Sequence, residues 1–232
     1  MSDASAGAEA AAKAAKREAL LRSLVDPAST AVLTMEVQEG VVGAGAMLQA
    51  LVEEVNRSGV LDAIRRVCAG ARDVGSRVVH CTAVSRPDGA GAVANCKIFA
   101  MNERLRRERG TTPNEIGTPG ADLVAGLRDP RDIEVARLHG MAPWVSTSLD
   151  QILRNLGVRT VVVTGVSVNL GVFGMVLGGV DHGYQVVLVR DAVAGVPVDY
   201  AQAVIDNSLS LLATVVTADE LLAAMDANAA SE

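Results

Sequence analysis

Two short stretches hold the side chains best placed for chemistry. The first ends on Glu36, a carboxyl group standing directly after the apolar run Thr30–Met35, TAVLTM. At the carboxyl end of a strand such a group can move a proton or cap a neighbouring N–H. The second is the segment 161–183, VVVTGVSVNLGVFGMVLGGVDHG, a β-branched run broken at Gly165, after which Asn169 opens a glycine-rich helical stretch. That pattern carries a buried parallel strand to a helix N-terminus, where unpaired N–H groups face a ligand. No ordinary nucleophile accompanies it. Gly171 lies in the turn, and Ser167 stands in G-V-S-V-N rather than in a G-x-S-x-G elbow. Cys81, next to His80 on a strand, reads as a core thiol, and Cys96 lies in the loop beyond that strand. Three scattered histidines give no ligand set, so neither a metal nor a cofactor is expected.

These groups need a scaffold, and composition restricts it. Half of the 232 residues are hydrophobic but only 2% are aromatic, so the core is built from Val, Leu, Ala and Ile, which suits parallel strands between helices. A net charge of −6 disfavours a nucleic-acid partner. The basic run Arg104–Arg109 reads as a solvated helix face, with a phosphate or acidic-substrate contact as the alternative. Three cysteines without a C-x-x-C pattern give no complete disulfide set and point to a reducing cytoplasm. The stretch Val161–Val180 is long enough to cross a bilayer, but its glycines and polar residues favour strand, turn and helix, and no membrane partner is expected.

Helix and strand signals alternate along the whole chain. An Ala-rich helical arm is expected over residues 1–26, one α/β domain over 27–226 and a tail over 227–232. Strands are predicted at Thr30–Met35, Arg77–Val84, Asp132–Leu138, Val158–Thr164, Tyr184–Val189 and Ala213–Thr217. Between them lie a helix near Gly59–Gly75 with Ser58 as its cap, one capped by Thr147 or Ser146, the helix from Asn169, and one near Val198–Leu212. The helix from Asn169 is apolar round most of its circumference, as a buried helix is, and a homodimer or homotetramer is expected.

Over about Pro27–Met225 the chain resembles the isochorismatase-like hydrolases. The resemblance implies a three-layer α/β/α sandwich whose six parallel strands run 3-2-1-4-5-6. Glu36 and the 165–171 turn would then meet at the topological switch point, where ligands of such sheets bind. In that family the first strand ends as [IV]-D-x-Q, so Glu36 takes the place of the catalytic Asp and Gln38 matches. The motif K-x-x-x-S-A-F-x-x-T-x-L matches here at Trp144, Thr147 and Leu149, with Leu138 where the lysine belongs. Arg137 and His139 flank that position, their side chains expected on the face opposite Leu138. The cysteine hydrolases of the family read G-V-x-T-N-x-C-V at the turn, which puts Gly171 in the place of the thiol and Asn169 on the family Asn. A non-proline cis peptide is implied at Val166–Ser167, with backbone N–H groups forming an anion site beside Leu170. The family's zinc motif, D-x-H, is absent after the second strand.

What remains is an enzyme without a thiol or a silent relative. Isochorismatases also carry Gly in this turn and use the strand-1 carboxyl to protonate a vinyl ether. With Leu138 replacing the lysine, a sparsely charged pocket would raise the Glu36 pKa by desolvation and suit it to the same general-acid role. The alternative is a catalytically inactive protein that binds a small molecule or serves as an oligomer subunit. An active site would place Arg86, Arg137 or His139 within hydrogen-bond reach of Glu36; a silent one would surround it with apolar groups.

Overall fold

The central strands are buried along their whole length, and their side chains point alternately to two covered faces of one sheet. The computed structural model describes residues 2–230; Met1 and, in the expected tail, residues 231 and 232 lie outside them. The strands are β1 (Thr30–Met35), β2 (Arg77–Ala83), β3 (Ile133–Arg137), β4 (Thr160–Val166), β5 (Gln185–Ala194) and β6 (Thr214–Val216). They are all parallel and run β3-β2-β1-β4-β5-β6. Among the described residues the helices are α1 (Ser2–Leu24), α2 (Glu39–Val42), α3 (Gln49–Ser58), α4 (Val60–Asp73), α5 (Lys97–Arg109), α6 (Leu149–Asn155), α7 (Phe173–Asp181), α8 (Val198–Asn207) and α9 (Ala218–Ala229).

Val32, Val78, Val162 and Val187 face a core shared with α1, α3, α4 and α9, while Leu33, Val79, Val163 and Leu188 face α6, α7 and α8. This is the α/β/α sandwich and the strand order that the resemblance implies. The N-terminal arm is tied to the terminal helix: Arg22 and Asn228 bond to each other, and Leu21 enters the same core. One local expectation changes. Gly59, at φ +71°, takes the α4 cap in place of Ser58, whose hydroxyl instead donates to the Glu54 carbonyl. In the single chain the helix after β4 leaves Leu177 and Val180 exposed. At the other cap, the Thr147 hydroxyl accepts from the Leu149 N–H. Among the described residues no helix is long and apolar enough to cross a membrane.

Close approach of β4 to β1 fixes one glycine. Gly165 has φ +106°, and a Cβ there would collide with the Met35 backbone. The same contact brings the end of β4 beside Glu36.

A polar chain crosses the first core face. Thr34 Oγ1 lies 2.7 Å from His80 Nδ1, His80 Nε2 lies 3.0 Å from Asp132 Oδ2, and Arg72 grips both Asp132 oxygens at 2.7 and 3.0 Å. Satisfying every partner requires a neutral imidazole that donates from Nε2 and accepts at Nδ1. Burial pushes the His80 pKa below its usual value despite the neighbouring carboxylate. The unfolded chain therefore binds a proton near pH 6.5 that the folded chain refuses, so stability falls as pH drops below that value. A loss of up to about 1.4 kcal/mol per pH unit is expected on this limb, read as a falling melting temperature, and His80→Gln should flatten it. A melting temperature of the parent that holds steady from neutral pH to about pH 5 would show that His80 takes up its proton as freely in the fold as outside it.

Candidate active site

The carboxyl ends of β1, β2, β3 and β4 converge on Glu36. Its backbone has φ +52°, unusual for a residue with a Cβ, and its N–H donates to the Cys81 carbonyl of β2 at 2.9 Å. Arg137, the last residue of β3, has only 2% of its side chain exposed, and its Nη2 contacts Glu36 Oε1. Its other donors are held by the backbone: Nε reaches the Gly140 carbonyl at 2.8 Å and Nη1 the Thr82 carbonyl at 3.3 Å. Burial brings the Arg137 pKa down to about 10, which leaves the guanidinium charged at neutral pH. Glu36 keeps 20% of its side chain exposed and faces a cavity of about 550 Å³.

This overturns the sparsely charged pocket. Leu138 does stand in the cavity wall, 40% exposed, but the cation sits one residue earlier. Strand alternation ends at Arg137, so the side chain expected to point away is the one buried against Glu36. A guanidinium in contact favours the carboxylate form of its partner. Glu36 as a neutral general acid therefore loses its premise.

The remaining expected residues divide. His139, Ser167, Leu170 and Gly171 join Glu36, Arg137 and Leu138 around the cavity. Gln38 is not part of the cavity wall: it is fully buried, its amide donating to the Ala83 and Ala121 carbonyls and accepting from the Ala83 N–H. Trp144 is core, with its indole N–H on the Met175 carbonyl and its ring stacked against His182 and Tyr184. Val166 is buried beneath the turn, and Arg86 is outside the cavity, gripped by Asp88 through two bonds. Asn169 also lies off the cavity wall. It accepts from the Ser167 hydroxyl at 2.6 Å and donates to the Val196 carbonyl, and so anchors the turn. The Val166–Ser167 peptide is cis. Cys81 is sealed in the core with its thiol pKa pushed up to about 12, and Cys68 is likewise buried.

Helix α5 supplies part of the wall. Arg106 and Arg107, from the run expected as a solvated face, line the cavity, as the alternative reading of that run has it, and Phe99, Asn102 and Glu103, absent from the sequence reading, line it beside them. Their spacing, 99-103-107 with 102-106, is that of one helical face, a signal the run Arg104–Arg109 obscures by its charge.

Gly171 leaves less room than a missing side chain suggests. A Cβ built there meets the terminal methyl of Met35 at 2.6 Å and the Val166 carbonyl at 3.3 Å. The Met35 methyl is the free end of a flexible side chain, so Gly171→Cys is expected to destabilise the fold by about 1 kcal/mol, the low end of overpacking. Thermal melts check this, and an unchanged melting temperature would mean that Met35 yields without cost.

The isochorismatase domain model matches residues 30–220. The chain belongs to the isochorismatase family. Ureidoacrylate amidohydrolase RutB of Pseudomonas savastanoi pv. phaseolicola is 27% identical over 186 residues, 76% of this chain and 75% of that protein. Its namesake in Methylorubrum extorquens (strain AM1) is 30% identical over 175 residues, 72% of this chain and 70% of that protein. Among solved structures, an isochorismatase family protein from Desulfovibrio vulgaris superposes with a TM-score of 0.72 at 26% identity, covering 87% of this chain and 98% of its own. A cysteine hydrolase from Pseudomonas syringae pv. phaseolicola 1448A shares the fold at a TM-score of 0.71 and 20% identity, covering 88% and 96%. The member of the family described here has glycine at position 171 of its turn.

Proposed function

We propose that this family member hydrolyses a small substrate without a thiol, with Glu36 as the proton-transfer group and water as the nucleophile. The observation that carries the proposal is the buried Arg137 guanidinium in contact with Glu36 at the wall of the cavity. Unlike the Arg72–Asp132 pair, which is sealed in the core, this pair leaves Glu36 partly open to the cavity. Because Arg137 favours the carboxylate, Glu36 acts first as a general base. It takes a proton from water, the oxygen adds to an electrophilic carbon of the substrate, and the carboxylic acid returns the proton to the leaving group. The amidohydrolase relatives make an amide or ureido carbon the first choice for that electrophile.

The competing assignment, protonation of a vinyl ether by neutral Glu36, uses the same residue in the opposite charge state. The two separate on the sign of the pH dependence. Purified protein assayed on ureidoacrylate, small amides and a vinyl ether is expected to turn over a carbonyl substrate with kcat/KM rising from acidic to neutral pH. A rate that falls over that range would return Glu36 to the acid role. No turnover of any of these compounds would favour the silent, small-molecule-binding reading.

A further inference from the structure

The histidines of the chain divide by their partners. His80 uses both ring nitrogens, on Thr34 and Asp132, and His182 sets Nδ1 3.4 Å from Asp150 Oδ1. Among the described residues His139 has no polar partner. It stands in the cavity wall shortly after Arg137, and its ring packs at a tilt of 43° on Phe99 of α5, with centroids 4.6 Å apart. Its Nδ1 is buried and unpaired, while Nε2, unpaired as well, is open to the cavity. A hydrogen on the buried nitrogen would be an unmet donor, and a bare lone pair there is the smaller loss. In the neutral ring the hydrogen therefore sits on Nε2, which offers a free donor to whatever enters. Other donors at this end of the cavity are committed. The Ser167 hydroxyl donates to Asn169, and the Leu170 and Val172 N–H groups donate to the Ser167 carbonyl. Arg137 spends its guanidinium on Glu36, Gly140 and Thr82.

We propose that His139 holds the substrate by its carbonyl oxygen: Nε2–H donates to the oxygen on the carbon that water attacks, and the bond strengthens as that oxygen gains negative charge. This rests on the reading of the cavity as the substrate site. Phe99 acts through the imidazole as a positioning residue, since its ring fixes the plane in which Nε2–H lies. The unpaired Nδ1 lowers stability relative to an apolar ring of the same outline, so stability and activity pull apart at this one residue.

His139→Phe tests this in the full chain, because it keeps a ring against Phe99 and removes both nitrogens. For an amide substrate kcat is expected to fall by about 10²–10³ with KM little changed, as for loss of one preorganised donor. The melting temperature should rise by about 2–4 °C. His139→Gln, which restores an N–H donor, should recover part of the rate. Histidine-selective nitrogen NMR reads the donor without turnover, with benzamide, a neutral carbonyl compound, as the probe. His139 is expected as the Nε2–H tautomer, with benzamide shifting its Nε2 resonance and leaving that of His80 in place. The same shift in Glu36→Gln separates this inference from the proposed reaction, and a shift in a protein that hydrolyses nothing supports the inference alone. A lower melting temperature in His139→Phe, an Nδ1–H tautomer, or a His139 resonance that benzamide does not move overturns it.

Discussion

Glu36→Gln is expected to lower kcat/KM for hydrolysis by a factor of about 10²–10⁴ while leaving the fold intact, because positioned proton transfer contributes on that scale. The amide is nearly the same size as the carboxyl, so the cavity keeps its shape. It can still accept from the Arg137 guanidinium, which lies against Glu36 Oε1. What it cannot do is take a proton from water. A structural role for the carboxylate would show instead as a lower melting temperature with proportionate loss of activity. Near-parental rates in Glu36→Gln would remove this residue from the chemistry and leave the cavity without a base.

Arg137→Met should damage both stability and rate. Removing one partner of a fully buried ion pair costs ~3–5 kcal/mol, and roughly 2 kcal/mol or more is expected here because Glu36 retains some solvent access. For a chain of this length that corresponds to a melting temperature lower by about 4–8 °C. The rate should fall by about 10²–10³, as for loss of a preorganised electrostatic partner. The acid limb of the pH profile should also move to higher pH, since the carboxylate is no longer favoured by a cation. Arg137→Lys should recover part of the rate. It restores the charge but not the fork that also reaches the Gly140 and Thr82 carbonyls. A stable Arg137→Met protein with an unmoved pH profile would assign Arg137 to packing alone.

The contrast between Leu138 and Arg137 shows what the sequence could disclose. β-branched runs marked the strands, and Gly165 marked the turn, because each feature is local: an apolar strand of β4 and a backbone that no Cβ fits. Strand order came only from resemblance, since alternation is compatible with several orders. Motif spacing put the missing cation at position 138, but β3 stops at Arg137 and the chain then bends through Gly140, at φ +94°, so the alternation rule ceased to apply one residue too early. Trp144 and Gln38 matched the family pattern yet sit in packing and backbone roles, because a motif records position without saying whether a side chain faces core or cavity. The α5 wall was hidden for another reason. A helix whose inward face borders a cavity has no strong apolar stripe to announce it.

Direct attack by water, with no covalent stage on the protein, is the proposed step that would set this family member apart from a thiol hydrolase. Intact-mass spectrometry of protein acid-quenched during steady turnover tests that step. Only the unmodified mass is expected throughout; a substrate-derived adduct that forms and decays at the turnover rate, on Cys96 or any other residue, would contradict it.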